Sequence, residues 1–235
     1  MSPLRMALAA ATILVSGAAA QAATISFGTT PASTSTLTTG LQTTNFTSSL
    51  TLPKFDTTLG TLTSVAIEFA GSVNSTIKFE SLDASASTVT GNAAATVTLT
   101  RPNNSVIAIV LPTNTRTATE TAFDGTIDFG GSSGNVFSNV SGTLTAPTVT
   151  LTGVSDLALF SGAGSIALPV TGTGSSTVSG PGNVVSQINT QASGSAFVVY
   201  TYNATPVRVP EPASMALLGA GLAGLAGLGL LRRRA

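Results

Sequence analysis

Threonine and serine that alternate with apolar residues constrain the fold of this chain more than any other feature. The two residue types account for 67 of the 235 residues. Residues 96–100 read Thr-Val-Thr-Leu-Thr, and Ile77 and Phe79 alternate with Lys78 and Glu80. In a strand, side chains two residues apart lie on the same face, and β-branched threonine suits a pleated, half-exposed surface. Since no stretch of residues 23–207 sustains a helical apolar repeat, the pattern predicts a β protein.

The alternating runs and the turn residues between them predict where the strands lie. Glycine, proline and asparagine occupy many of the joints, as turns require. Residues 106–111 are continuously apolar, which predicts a strand buried on both faces. Residues 29–44 are expected to form a loop or an edge strand, and the glycine-rich residues 161–195 to contain long loops. We expect strands at residues 24–27, 46–52, 62–73, 75–82, 96–100, 106–111, 121–129, 137–151 (two runs around Pro147) and 197–202.

This spacing predicts one all-β domain over residues 23–207, an antiparallel β-sandwich with a jelly-roll or immunoglobulin-like strand order. The chain is long enough to bury a core without disulfides, which it cannot form because it has no cysteine. A parallel β-helix is the second reading, although no fixed repeat of about 20 to 30 residues supports it. A disordered Ser/Thr-rich stalk is the third, and the strand-like periodicity argues against it.

The missing residue types exclude several kinds of chemistry. Because the chain has no cysteine, histidine or tryptophan, Ser-His-Asp and Cys-His catalytic arrangements and the usual zinc sites are excluded. Residues 23–208 carry five basic and eight acidic side chains, a net charge of −3, without a basic cluster. Such a surface is a poor partner for the nucleic-acid backbone. We therefore expect no cofactor, no nucleic-acid partner and no enzymatic activity.

Asp124 and Asp128 are the carboxylate pair that raises the question of a metal site. They lie four residues apart in the expected strand 121–129, where both would project from one face. Their separation would be about 13 Å, which is too great for one calcium ion. A calcium site would instead need Asp124 with a loop carbonyl and Asn135 or Asn139. The alternative is that both acids are solvated surface groups and no metal binds.

Residues 1–22 have the layout of a secretory signal peptide, so we expect an N-terminal signal helix that is cleaved. Arg5 supplies the positive start, and residues 6–15 are apolar apart from one threonine. Ala20 and Ala22 offer the small side chains that signal peptidase reads. Cleavage after Ala22 is the first choice and cleavage after Ala20 the second. The alternative is an uncleaved membrane helix, although the run is short and lacks a stop-transfer charge.

Residues 208–235 combine three parts in a fixed order. A proline-bracketed motif comes first and consists of Val209, Pro210, Glu211 and Pro212. Its prolines forbid regular helix and keep the segment extended. Residues 213–231 follow, and these nineteen uncharged residues are long enough for one transmembrane helix across ~30 Å of hydrocarbon. Residues 232–235 end the chain with Arg232, Arg233 and Arg234, which would hold that end in the cytoplasm.

The three parts together resemble the PEP-CTERM sorting signal of exopolysaccharide-producing Gram-negative bacteria, over about one ninth of the chain. The resemblance implies that an exosortase, an integral membrane transpeptidase-like enzyme, processes the chain near the Pro-Glu-Pro and that the membrane span is transient. Residues 52–65, Leu-Pro-Lys-Phe-Asp-Thr-Thr-Leu-Gly-Thr-Leu-Thr-Ser-Val, are similar to a choice-of-anchor domain of type E. Such domains have no established molecular activity, so this resemblance implies no catalytic residues. An ordinary permanent anchor behind a proline-broken linker is the alternative.

The expected function is that of an exported surface or extracellular-matrix protein, structural or interactive in an exopolysaccharide or biofilm layer. Its expected partners are signal peptidase and the secretion machinery, the exosortase, the membrane during transit, and exopolysaccharide. The chain would be a transient single-pass inner-membrane intermediate with a cytoplasmic C-terminus before it reaches the cell exterior. The alternative is a secreted polysaccharide-binding or polysaccharide-active protein, and an active one would need two carboxylates that face one cleft.

Overall fold

A computed structural model describes residues 22–28, 37–205 and 220–221 of the chain. Residues 21–204 form one compact unit, which contains every strand and helix named here. The expected signal helix up to Ala20, the sorting motif at residues 209–212, nearly all of the apolar run and the arginines at 232–234 lie outside the described residues. Within the described ranges, no helix is both long enough and apolar enough to span a membrane.

Thirteen strands and one short helix lie within residues 22–205. The expected strands near both ends of the domain, at 46–52, and around Pro147 are confirmed. The strands are β1 (Ala22–Gly28), β2 (Leu37–Thr38), β3 (Gln42–Thr43), β4 (Phe46–Pro53), β5 (Gly60–Ser81), β6 (Ser87–Thr100), β7 (Val106–Val110), β8 (Thr113–Glu120), β9 (Gly134–Thr145), β10 (Val149–Leu151), β11 (Ser165–Gly174), β12 (Thr177–Ser179) and β13 (Val184–Ala204). The helix α1 (Val154–Phe160) lies between β10 and β11.

These strands form two antiparallel sheets in a sandwich-like arrangement, as the sequence predicts at this level. The first sheet runs β1-β13-β5-β10, with β2 and β3 also paired to β13 and β9 also paired to β5. The second sheet runs β12-β6-β11-β4, with β7 and β8 paired to β6. The alternating burial along β5 and β13 places one face of each strand in the core and the other at the surface.

Two of the expected strands, 62–73 and 75–82, are one strand in the structure. β5 spans 22 residues without a turn at Gly71. A Cβ atom on Gly71 would lie 2.5 Å from Cγ2 of Val110 in the opposite sheet. This glycine therefore permits the two sheets to approach closely. Close approach of neighbouring structure is one of the common reasons for a glycine within a strand.

The expectation of long loops in residues 161–195 is wrong. That segment contains β11, β12 and the first half of β13. Gly194 shows the reason, because a Cβ atom there would lie 2.9 Å from Cγ1 of Val170. Several glycines of the segment therefore fit tight packing inside strands, whereas the sequence pattern alone suggests turns.

The core lies between the two sheets and is built from the apolar residues that alternate with Ser and Thr. Phe69, Ile77, Leu99 and Val198 are fully buried or nearly so, and burial of such a side chain contributes about 1.5–3 kcal/mol. Tyr200 is also enclosed, and its hydroxyl donates a hydrogen bond of 2.9 Å to the backbone carbonyl of Pro53.

A hydroxyl network crosses the core between the sheets. Ser75 Oγ lies 2.9 Å from Thr190 Oγ1 in the first sheet, and Thr190 Oγ1 lies 2.8 Å from Ser176 Oγ. Ser176, between β11 and β12, also accepts a hydrogen bond from the backbone N–H of Ala94 in the second sheet. The network satisfies polar groups that would otherwise be costly to bury.

The strand β7 departs from its predicted burial on both faces. Ile107, Ala108 and Val110 are buried, but Val106 is 51% and Ile109 49% exposed. The reason is that β7 lies at the margin of the second sheet, whose outer face carries no further layer among the described residues. A continuous apolar run therefore does not guarantee two covered faces.

The predicted strand 121–129 is also wrong, since residues 121–133 form the loop between β8 and β9. Gly125, Phe129 and Gly131 have φ angles of 98°, 60° and 63°, which a strand does not allow. The carboxylate of Asp124 accepts a hydrogen bond from the backbone N–H of Thr126, two residues further on. Such local bonds compete with strand pairing and favour turns.

Candidate functional site

The outer face of the second sheet is covered with threonine, and we call it the threonine face. It is made by alternate residues of β6 together with their register partners on neighbouring strands, which project to the same side. Its members include Thr47, Thr88, Thr90, Thr96, Thr98, Thr100, Thr115, Thr117, Thr119, Thr171, Thr173 and Thr177, with Asn92 and Ala94 among them. Ile109 of β7 is the register partner of Thr98 and borders the face.

Hydrogen bonds between strands order these side chains into rows. The hydroxyls of Thr88 and Thr119 lie 3.1 Å apart and those of Thr90 and Thr117 lie 3.3 Å apart. Strands in a sheet lie about 4.8 Å apart, and side chains on one face repeat every ~6.7 Å along a strand. The face therefore offers a grid of hydroxyl and methyl groups held at regular spacing.

The threonine face has no charged side chain at its register positions in the described part of the chain. The charged residues of its strands are Arg116 and Glu120 on β8, and their partners, Gly91 and Ser87, are on the buried side of β6. The outer face of the first sheet differs, because β5 presents Glu68 and Lys78 there. A surface of hydroxyls and methyls suits an uncharged polyhydroxyl ligand, since binding requires no removal of water from a charge.

Two grooves lie away from this face. One, of about 240 Å³, lies on the first sheet and is lined by Thr76, Lys78, Gln187 and Asn189. The other, of about 500 Å³, lies between α1 and the start of β5, and its lining is largely apolar. No carboxylate lines either of these two grooves.

Asp124, the candidate metal ligand, is used to close its own loop. Its carboxylate accepts hydrogen bonds from the backbone N–H groups of Thr126, at 3.0 Å, and Ser132, at 3.3 Å. Asn135 does not turn towards it but donates from Nδ2 to Oε1 of Glu120 at 3.1 Å. Across the described residues, no three histidine, cysteine, aspartate or glutamate side chains are grouped so as to hold a metal ion.

Glu80 is a polar residue whose role the sequence did not reveal. It is fully buried at the end of β5. Its carboxylate accepts hydrogen bonds from Ser133 Oγ at 2.5 Å and from the backbone N–H of Phe129 at 2.7 Å. It thus anchors the 121–133 loop at both Phe129 and Ser133.

Among the residues predicted for sorting and signal cleavage, Ala22 is the one within the described ranges. It is the first residue of β1 and lies opposite Asn203 of β13.

Alternate threonines in β6 and β8 can be recognised in the sequence, but the sequence does not show that they belong to one face. That union depends on which strands are neighbours, and the pairing of β6 with β11 joins segments some 75 residues apart.

Comparisons with known proteins assign no family to this chain. No family model matches it, and no curated protein sequence matches it. Among solved structures it is similar to a chain of the infectious bursal disease virus Gx strain, at 14% identity and a TM-score of 0.20, over 89% of this chain and 49% of that one. A chain of the T13 particle of that virus gives 12% identity and a TM-score of 0.15, over 90% and 48%. The chain spans about half the length of these viral chains, and likeness at such scores carries no argument.

Proposed function

We propose that this chain is an exported protein of the cell surface or extracellular matrix, sorted by an exosortase system, with a structural or interactive role in an exopolysaccharide layer. The observation that carries the proposal is the order of motif, uncharged run and arginines in residues 208–235. The signal-peptide layout of residues 1–22 supports it, because the two ends together would leave the body outside the cytoplasm. In this proposal the sandwich is of the jelly-roll or immunoglobulin-like kind, and both terminal helices are transient.

Mass spectrometry of the mature protein from the producing bacterium tests the sorting step. Surface material is expected to lack Arg232–Arg234 and to end near the proline-bracketed motif. Pro210→Ala combined with Pro212→Ala should leave the tail in place, because the motif can then leave the extended conformation. Pro102→Ala, in an exposed turn of the domain, is the matched control and should be processed normally. An intact arginine tail on wild-type surface material would count against the proposal.

The pairing of β1 bears on the signal-peptide cut within this proposal. A cut after Ala22 would remove the first residue of β1 and its pairing with Asn203. A cut after Ala20 leaves the whole strand, so the complete pairing of β1 with β13 favours a mature chain that begins at Gln21. The same mass spectra report the N-terminus, and a start at Ala23 would contradict this choice.

The threonine face is the surface we propose for contact with an uncharged polysaccharide. Sugar hydroxyls could exchange hydrogen bonds with the threonine hydroxyls, and the methyl groups offer apolar contact to the C–H faces of the sugar rings. The absence of charge from the register positions of this face favours a neutral polymer over an acidic one.

Retention of the purified protein on the organism's own polysaccharide tests this contact. Thr98 and Thr171 are register partners near the middle of the threonine face. Their joint replacement by lysine should reduce retention at least about tenfold, because the lysine ammonium groups would have to lose bound water on contact with the polysaccharide. Ser72 and Ser193 are register partners on the outer face of the first sheet, and their joint replacement by lysine is the control that should change little. Equal retention of both variants, or tighter binding of the Thr98→Lys/Thr171→Lys variant, would contradict a neutral ligand on this face.

A further inference from the structure

The margin of the second sheet at β7 combines an available strand edge with exposed aliphatic side chains. Among the described residues, β7 has a single strand partner, β6. Val106, Ile109 and Leu111 are 51%, 49% and 57% exposed. We call these three residues the aliphatic border. Proteins commonly protect edge strands with charged residues, and a hydrophobic edge strand without them favours pairing with another strand.

The segment itself has the composition of a strand that pairs readily. Residues 106–111 read Val-Ile-Ala-Ile-Val-Leu, without charge, proline or glycine. Short segments of high β-propensity and low charge associate through their backbone edges. Pro102 and Pro112 bracket the segment, and prolines at these positions confine strand addition to β7 itself.

The chemistry of this edge fits a second copy of the same chain. An antiparallel strand pair can be formed by one strand and its own copy about a two-fold axis, so the edge is complementary to itself. No like charges would meet, because residues 102–115 carry none. Arg101, the nearest cation before β7, forms an ion pair of 2.6 Å with Asp156, and its Nη1 donates a hydrogen bond of 3.1 Å to the backbone carbonyl of Val106. The charge of Arg101 and the carbonyl of Val106 therefore have partners within the chain, and a second copy of β7 would pair along the rest of the strand, whose residues are all uncharged.

We infer that two copies of this protein associate edge to edge through β7, in antiparallel register about a two-fold axis. The second sheets of the two copies become one continuous sheet, and the aliphatic borders pack against each other across the new strand pair. Because a two-fold axis perpendicular to the sheet keeps the same face outward in both copies, the two threonine faces join into one surface. The association itself does not depend on any polysaccharide or on sorting.

Thiol cross-linking of the full-length chain in mild detergent tests the inference directly. The chain has no cysteine, so a single introduced thiol is the sole cross-linking site. Ile109→Cys, treated with a short bifunctional thiol reagent, should give a covalent dimer in high yield. Ile127→Cys is the matched control, because Ile127 is the same residue type and is 55% exposed, but lies in the 121–133 loop. Equal yields from the two variants, or no dimer from Ile109→Cys, would overturn the inference.

A second pair of variants separates the β7 edge from other modes of association. Val106→Cys should also cross-link, and its yield should fall about tenfold or more when Ile109→Lys is added, since lysine blocks edge pairing. Adding Ile127→Lys instead should leave the yield unchanged. Circular dichroism confirms that each variant is folded. A yield that survives Ile109→Lys in a folded chain would refute pairing through β7, whereas the polysaccharide and processing experiments are unaffected by this outcome.

Discussion

Buried polar side chains determine the local structure at the residue scale. Glu80, Ser133 and Tyr200 each make a hydrogen bond to another part of the chain that a purely apolar residue could not make. Each bond holds a loop or strand end whose polar groups would otherwise need hydrogen bonds from water. Such groups are costly to leave without partners, so their substitution should have large and specific effects.

Glu80→Gln should destabilise the domain by about 1–3 kcal/mol. The two bonds end on different oxygens, Ser133 Oγ on Oε1 and the N–H of Phe129 on Oε2, and glutamine replaces one of these acceptors with an NH2 donor. Urea unfolding followed by circular dichroism measures the change. Glu68→Gln is the control, because Glu68 is exposed on the outer face of β5, and it should shift stability by less than about 0.5 kcal/mol. Equal effects of the two substitutions would contradict the role of Glu80 as an anchor.

Tyr200 should make stability depend on pH in the alkaline range. Burial raises the pKa of Tyr200 above its ordinary value of 10.0. In the unfolded chain the hydroxyl ionises near pH 10, and in the folded chain it stays protonated. The stabilisation from this group is therefore complete below about pH 10 and is lost as the pH rises further.

Tyr200→Phe tests that dependence. The variant should lose about 1 kcal/mol near neutral pH, because the hydrogen bond to the carbonyl of Pro53 is removed. It should also show a shallower decline of unfolding free energy between about pH 9 and 12. Tyr202→Phe serves as the control, since Tyr202 is only partly buried. Identical pH profiles for wild type and Tyr200→Phe would exclude this contribution.

At the scale of elements, the close approach of the two sheets depends on small residues. Gly71 of β5 faces Val97 and Val110 of the second sheet. Gly194 of β13 faces Val170 of β11 in the same way. Glycine in a strand costs conformational entropy, and here that cost is offset by closer packing between layers.

Gly71→Ala should destabilise the domain by about 1–3 kcal/mol through overpacking. The new methyl group would lie 2.5 Å from Cγ2 of Val110 and 3.1 Å from Cβ of Val97. Adding Val110→Ala provides space for it, so the double variant should be more stable than the sum of the single effects predicts. Thermal unfolding of the four proteins completes the cycle, and strict additivity would argue against a steric cause.

At the scale of the whole molecule, the domain is closed by its first and last strands. β13 pairs with β1 along residues 197–203 and with β5 along its entire length. Most of the sheet therefore joins segments that are far apart in sequence, which predicts folding on a timescale of milliseconds to seconds. The domain cannot be complete before β13 is available.

A chain of residues 21–205 should fold cooperatively, whereas a chain of residues 21–191 should not. The shorter chain lacks the part of β13 that pairs with β1, β2 and the first half of β5. Circular dichroism and limited proteolysis distinguish the two outcomes. A cooperative unfolding transition in the shorter chain would show that β13 is not essential to the core.

Strands could be predicted from the sequence where apolar and polar residues alternate regularly. The prediction failed where local hydrogen bonds or packing between layers determined the backbone. Residues 46–52 and 197–202 alternate cleanly and lie in strands. Residues 121–129 alternate too, but Asp124 bonds to its own backbone and bends the chain into a loop. The threonine face was predictable as alternating residues on single strands, but not as one surface, since its neighbours come from distant segments.

The sequence by itself determined that this protein is a β protein without the residues for histidine, cysteine or zinc chemistry, because side-chain periodicity and composition are local properties of the chain. It also carries the terminal segments from which export and sorting are proposed. Only the tertiary structure decided that Gly71 brings two layers together, that Glu80 holds a loop, and that the threonines of β4, β6, β8, β11 and β12 share one uncharged face. Those features depend on long-range strand register, which is set by the packing of the whole core and not by any single segment.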